Sequence, residues 1–130
     1  MSTIKTDTLT GTSTAGSISV TGEGNSTTTN LQQGLVKVWL HFDQKGDSGS
    51  TQALDSFNVG SVTDNGTGQY TFTYSNAFST GNNSVQGTSN AVHTQGYDSQ
   101  TTYAELRTYG SATSAFDTSR TNLAVFGDLA

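Results

Sequence analysis

The sequence predicts an all-β protein: a small antiparallel β-sandwich, jelly-roll-like or a meander, that follows an extended N-terminal arm. Three observations predict this class. Hydrophobic residues make up 31% of the chain and charged residues 12%, so most of the polar residues are uncharged. Threonine is abundant, and its β-branched side chain favours extended backbone over helix. Aromatic residues reach 9% and the net charge is only −5, which argues against a disordered chain.

Residues 1–33 differ from the rest and are predicted to form an attachment arm. The spacing of apolar residues indicates one short strand within Met1–Thr10 and another at Ser17–Val20, followed by a turn at Thr21–Gly24. The anchors of the arm are its few large apolar side chains: Ile4, Leu9, Ile18, Val20 and Leu31. So few side chains cannot offset the conformational entropy of ordering the whole arm. We therefore expect neighbouring chains to hold it.

The head domain, residues 34–130, begins with the clearest strand pattern, at 35–42. Successive side chains in a strand point to opposite faces of the sheet. One face is apolar and is predicted to join the core: Val36, Val38, Leu40 and Phe42. Trp39 lies on the other, mixed face. It is a candidate for the subunit interface of a trimer, and packing between subunits is favoured over contact with a ligand.

A β-hairpin is predicted next. Its first strand runs from Leu54 to Val62, with Phe57, Val59 and Val62 pointing inward. The turn is at Thr63–Gly68, because Asn-Gly readily supplies positive φ angles. The return strand, Gln69–Ser75, alternates aromatic residues with threonine.

The remaining segments predict further strands and loops but no helix and no internal repeat. Strands are expected at Ser84–His93, Thr101–Tyr109 and Asn122–Gly127. Loops are expected at Gln44–Ser50 and, around Phe78, at Asn76–Asn83.

Three tyrosines are the best candidates for a ligand-binding surface: Tyr97, Tyr103 and Tyr109. Tyrosine brings contact area and a hydrogen-bonding tip at low entropic cost. Tyr97 lies in Gln95–Gln100, which reads as a polar, glycine-containing loop. A glycan or a protein is the expected kind of ligand.

No catalytic, cofactor or metal site is predicted, and the chain is not expected to be an enzyme. Cysteine is absent, and His41 and His93 have no partners at metal-ligand spacing. Asp43 and Asp47 flank a glycine-containing loop, but the spacing of a calcium loop is missing, so a solvated loop is favoured.

Charge and hydropathy exclude two classes of partner. The five Lys and Arg residues are scattered, whereas binding to nucleic-acid phosphates requires clustered cations. No apolar run approaches the length of a membrane span. The sequence opens without a basic segment followed by an apolar one, so no secretory signal is expected.

Four segments carry a resemblance to a known family. Thr29–Trp39 resembles the entry to a β-domain of tail-fibre and other appendage proteins of marine bacteriophages, notably cyanophages and pelagiphages. Asp55–Phe72 resembles its central hairpin and Asn122–Gly127 its closing strand. The opening, Ser2–Leu9, is similar to openings of short virion proteins from the same phages.

The resemblance implies a virion component, usually trimeric, whose β-domain faces outward. We therefore expect a homotrimer that assembles in the host cytoplasm and whose arms bind other phage structural proteins of the capsid or tail. The chain is short and has no shaft. A head-decoration protein and a module that binds a host-surface carbohydrate or receptor therefore stay open as alternatives, as does a depolymerase.

Overall fold

The computed structural model describes residues 3–11, 18–22, 27–45, 52–91 and 93–128. Contacts within the chain divide it into two compact units, Met1–Leu35 and Val36–Ala130. The predicted turn at Thr21–Gly24 lies outside the described residues from Glu23 onward. The predicted loop at Gln44–Ser50 lies outside them from Gly46 onward, Asp47 included.

The N-terminal unit contains a small hairpin. Strands β1 (Ser19–Thr21) and β2 (Thr28–Asn30) pair antiparallel, and a single turn of helix, α1 (Leu31–Gly34), follows. The amide of Leu31 donates to the carbonyl of Ile18 at 2.9 Å. Residues 3–11 form no strand, so the strand predicted within Met1–Thr10 is wrong for its described part. Ile4 and Leu9 are an odd number of residues apart and could not share one face of a strand.

The second unit confirms the predicted small antiparallel β-sandwich. Sheet I has the strand order β4-β3-β10-β7 and sheet II the order β5-β6-β9-β8. Its strands are β3 (Val36–Asp43), β4 (Gln52–Phe57), β5 (Val59–Gly66), β6 (Gln69–Tyr74), β7 (Ser84–Ser89), β8 (His93–Ser99), β9 (Tyr103–Tyr109) and β10 (Thr121–Phe126). The first and last of these strands are neighbours in sheet I, so the topology is not a simple meander.

The core lies between the two sheets. The buried apolar side chains are Val38, Leu40, Phe42, Tyr70, Phe72, Tyr74, Phe78, Ala104, Leu106, Leu123 and Val125. Phe42 is central: its ring centroid lies 5.4 Å from that of Tyr70 and 5.2 Å from that of Phe72, both in edge-to-face geometry, which aromatic quadrupoles favour. Phe78 anchors the predicted 76–83 loop in this core.

The predicted strand from Leu54 to Val62 is two strands that belong to different sheets. Asn58 separates β4 from β5 and has a φ of 58°, a left-handed conformation that asparagine tolerates better than most residues. The resulting bend resets the alternation, so Phe57 points outward and is 52% exposed. Its predicted inward position is wrong. Val59 and Val62 pack against the core, as predicted.

Asn58 is fixed by its own side chain. Its Nδ2 donates to the carbonyls of Lys37 at 3.2 Å and Asn76 at 3.1 Å, and its Oδ1 accepts from the Asn76 amide at 2.7 Å. These hydrogen bonds connect the crossing point to both neighbouring segments.

A β-bulge overturns the predicted inward position of Val36. Val36 pairs with Phe126, and the next pair along is Val38 with Val125, so Lys37 is an additional residue. Val36 is 38% exposed, whereas Lys37 is buried. The other three residues of this set point into the core, as predicted: Val38, Leu40 and Phe42.

Asp117 joins the loop before β10 to the β5–β6 hairpin. Its Oδ1 accepts from the Gly68 amide at 2.6 Å and from the hydroxyl of the buried Tyr70 at 2.8 Å. A buried donor that loses its acceptor costs about 1–3 kcal/mol.

We therefore expect Asp117→Ala to lower the free energy of unfolding by about 2 kcal/mol, as measured by urea denaturation. Asp117→Asn keeps the Oδ1 acceptor and should recover most of the loss. Asp55→Ala is the matched control, since Asp55 is exposed and accepts from the adjacent Ser56 amide; it should change stability by less than about 0.5 kcal/mol. Equal losses for Asp117→Ala and Asp55→Ala would show that Asp117 does not join the two segments.

Candidate functional site

The outer surface of sheet II bears a continuous set of polar and aromatic side chains on β8 and β9. On β9 the side chains of Ala104, Leu106 and Thr108 are buried, so the alternate residues point outward. We call the outward residues the polar–aromatic face: Tyr103, Glu105, Arg107 and Tyr109 of β9 with His93, Gln95, Tyr97 and Asp98 of β8.

Strand β8 corrects the prediction for Tyr97, which was expected in a loop at Gln95–Gln100. The segment instead pairs antiparallel with β9, and a β-bulge between Gly96 and Asp98 makes Tyr97 the additional residue. Sequence reasoning missed this strand because its residues are polar and contain a glycine. Gly96 is required here, since a Cβ at that position would lie 2.9 Å from the Cβ of Val85 on β7.

Tyr97 stacks on Arg107. The guanidinium carbon of Arg107 lies 3.3 Å from the centroid of the Tyr97 ring, a cation–π contact. Cross-strand neighbours of Arg107 are Gln95 and Gln69. The Tyr97 side chain is nevertheless 53% exposed. Arg107 thus supports one face of the ring and leaves the other to solvent.

Asp98, the next residue, is a pre-positioned hydrogen-bond acceptor. Its Oδ1 accepts from Gln100 Nε2 at 3.1 Å and from the Ser99 amide at 2.7 Å, and its Oδ2 accepts from the Tyr103 hydroxyl at 3.3 Å. The Gln100 amide, followed by the Ser99 backbone, lowers the pKa of Asp98. Desolvation and the nearby Asp98 charge raise the pKa of Tyr103. Asp98 is therefore ionised at neutral pH.

An open depression of about 220 Å³ lies beside Tyr97. It is lined by Asn83, Val85, Gly96, Tyr97, Asp98 and Ser99. The hydroxyl of Ser99 donates to Asn83 Oδ1 at 2.6 Å, and Asn83 Nδ2 donates to the Gln100 carbonyl at 3.2 Å. These bonds hold the polar side chains of the wall in place.

The structure thus places all three candidate tyrosines on one face, in different environments. Tyr103 donates to Asp98 and is half-buried, while Tyr109 lies beside His93 with ring centroids 5.9 Å apart. Of the three, Tyr97 is the one that lines the depression. Arg107 was not singled out from the sequence, because only the pairing of β8 with β9 brings it under Tyr97.

Trp39 lies on the outer face of sheet I and is not part of this face. It is directly opposite Phe57 on β4 and Ala124 on β10. We call these three residues the apolar row. Trp39 is 38% exposed and Phe57 52% exposed, and Val36 and Phe126 form the adjoining pair on β3 and β10. The sequence identified Trp39 but placed Phe57 in the core.

The five arm anchors fall into two groups within the N-terminal unit. Ile18 and Leu31 are half-buried where their backbones hydrogen-bond. Ile4 is 90% exposed, Leu9 61% and Val20 52%. The described part of this unit therefore leaves three large apolar side chains largely open to solvent.

Two further findings concern the described residues alone. They contain no group of three or more His, Cys, Asp or Glu side chains placed to hold a metal ion. None of their helices has the length and apolar character needed to cross a bilayer.

Comparison with known proteins gave no relative. No protein-family model matches the sequence, and no curated protein and no solved structure matches it at a significant level. The resemblance to marine-phage appendage domains stays a prediction.

Proposed function

We propose that this chain is a non-enzymatic structural protein of a bacteriophage particle: a homotrimeric appendage anchored by residues 1–33, with the sandwich projecting outward. It would reside in the virion after assembly in the host cytoplasm. The observation that carries the proposal is the exposure of large apolar side chains in two places, the arm and the apolar row. Contiguous exposed apolar residues, as in the apolar row, mark a surface that other chains cover.

The arm supports an attachment role. Ile4, Leu9 and Val20 offer apolar contacts, and among the described residues β1 and β2 form a two-stranded sheet. A partner strand from a capsid or tail protein can add to the edge of such a sheet, where backbone hydrogen bonds give affinity and side chains give specificity. Three arms on one trimer would bind together with an affinity beyond that of one arm.

The apolar row supports association between copies. Trp39 and Phe57 are a directly opposed aromatic pair, and aromatic residues are enriched in the buried centres of protein interfaces. Their position on the outer face of sheet I leaves the polar–aromatic face of sheet II free in the assembled particle.

The oligomeric state of the purified full-length chain tests the proposal. Sedimentation or light scattering at micromolar concentration should report a trimer, and Trp39→Asp or Phe57→Asp should shift it to monomer, because a buried unpaired charge opposes association. Tyr97→Asp is the matched control: it makes an aromatic-to-acid change on the other sheet and should leave the trimer intact. A full-length wild-type chain that is monomeric at micromolar concentration would contradict the trimer.

A second candidate function is recognition of a carbohydrate or receptor on the host surface. It is favoured by the convergence of Tyr97, Tyr103 and Tyr109 on one face, together with a polar depression. The alternative is a head-decoration protein of the capsid. In that case the arm and the trimer have the same roles, and the polar–aromatic face binds no ligand. Immunogold labelling of the particle would place the chain on head or tail.

A further inference from the structure

The Tyr97 ring provides a flat, exposed platform. The guanidinium carbon of Arg107 lies 3.3 Å from the ring centroid, and the Tyr97 side chain is 53% exposed. The face of an aromatic ring carries partial negative charge, and the C–H groups on one side of a pyranose ring are slightly positive and apolar. The cation under Tyr97 also restricts the orientation of the ring, so less freedom is lost when a ligand stacks on it.

The depression beside this platform is polar and shallow. Asp98 is an acceptor with both carboxylate oxygens already oriented by hydrogen bonds, and Asn83 and Ser99 are fixed by each other. Sites for drug-like molecules are typically enclosed and mainly apolar. An open, polar depression next to one aromatic ring suits a ligand with many hydroxyl groups and one apolar ring face.

The charges around the depression select against anions. Asp98 pairs across the strands with Glu105, which places two acidic residues side by side. The nearby cation, Arg107, is stacked on the Tyr97 ring. A ligand carboxylate or sulfate would meet this acidic pair, and like charges in contact oppose binding.

We infer that the depression lined by Tyr97, Asp98 and Asn83 is a binding site for a neutral, hydroxyl-rich saccharide. Tyr97 packs on the C–H face of one sugar ring. Asp98 accepts hydrogen bonds from adjacent hydroxyl groups, and the Asn83 and Ser99 side chains form the wall. This inference gives the second candidate function a ligand class and a location, and it does not depend on trimerisation.

The test uses the full-length chain on an array of neutral gluco-, manno- and galacto-oligosaccharides, with alginate oligomers as the anionic comparison. Binding is expected to neutral oligosaccharides and not to alginate. The best neutral oligosaccharide is then titrated against variants. Tyr97→Ala should weaken binding by about tenfold or more, while Tyr97→Phe, which keeps the ring, should stay within about threefold of wild type. Asp98→Asn keeps the shape and removes the charge, and should cost about tenfold.

Asp55→Asn, the same change as Asp98→Asn but at an exposed residue of β4 on the other sheet, is the control and should bind like wild type. If Tyr97→Ala alters the unfolding midpoint, Asp98→Asn decides the question. The inference is overturned if no neutral oligosaccharide binds at millimolar concentration, if alginate binds equally well, or if Tyr97→Ala and Asp98→Asn both bind like wild type. These results leave the measured oligomeric state untouched, so failure of the saccharide site and failure of the assembly proposal are distinguishable.

Discussion

Replacing Phe42 with alanine is expected to lower the free energy of unfolding by about 3–5 kcal/mol. Phe42 is fully buried, and its ring makes edge-to-face contacts with Tyr70 and Phe72 on the opposite sheet. Truncation removes apolar contact area and two aromatic pairs, and it leaves a cavity between the sheets. Urea denaturation followed by tryptophan fluorescence measures the change, since Trp39 is the single tryptophan and lies on the same strand.

Phe57→Ala is the matched control for this prediction. The substitution is the same and the sequence pattern placed both residues inward, but Phe57 is 52% exposed on the outer face of sheet I. At a protein concentration low enough to keep the chain monomeric, Phe57→Ala should cost less than about 1 kcal/mol. A cost that rises with protein concentration would indicate that association buries Phe57. If both substitutions cost the same in the monomer, the assignment of Phe57 to the outer face is wrong.

Gly68→Ala is expected to have the second large effect, a loss of at least about 3 kcal/mol. Gly68 ends the β5–β6 turn with a φ of +66°, a conformation that costs an L-residue roughly 1–2 kcal/mol. A Cβ there would also overlap the Thr108 carbonyl oxygen and lie 2.8 Å from the Phe116 amide nitrogen. Both are backbone atoms, so neither can move aside without breaking the hydrogen bond from the Phe116 amide to the Thr108 carbonyl.

Gly66→Ala separates the two contributions. Gly66 has a φ of +118°, and a Cβ there would have no atom within 4 Å. This variant carries backbone strain without overlap and should cost about 1–3 kcal/mol. Urea denaturation measures the loss of unfolding free energy for both variants. The two midpoints can be compared directly if the unfolding free energy falls with urea at the same slope in each. If Gly68→Ala is no more destabilising than Gly66→Ala, the close approach of the 108–116 backbone contributes nothing to the effect.

Much of the sandwich could be predicted because strict alternation survives wherever a strand has one face on the core. In β6 the aromatic residues Tyr70, Phe72 and Tyr74 alternate with polar ones, and all three are buried. The same holds for Leu123 and Val125 in β10. The period of two directly reflects the geometry of an extended chain, so this part of the fold can be read locally.

The predictions failed where one residue changes the face of the sheet to which the neighbouring side chains point. Asn58 moves the chain from sheet I to sheet II, and the bulge at Lys37 reverses the direction of Val36. In both places the apolar pattern continues along the sequence, whereas the regular geometry of the strand is interrupted. A bulge or a left-handed residue shifts every following side chain to the other face, and its position is set by the partner strand.

The sequence by itself determined the all-β class, most of the strands and the apolar residues that fill the core, because these follow from composition and from the two-residue period of a strand. It also singled out Tyr97, Tyr103, Tyr109 and Trp39. The tertiary structure alone decided that the tyrosines share one face with Arg107, that Tyr97 and Asp98 border a depression, and that Trp39 is aligned with Phe57 on the other sheet. Those relations arise from pairings between strands distant in the sequence, and such pairings are selected by the packing of the whole sandwich.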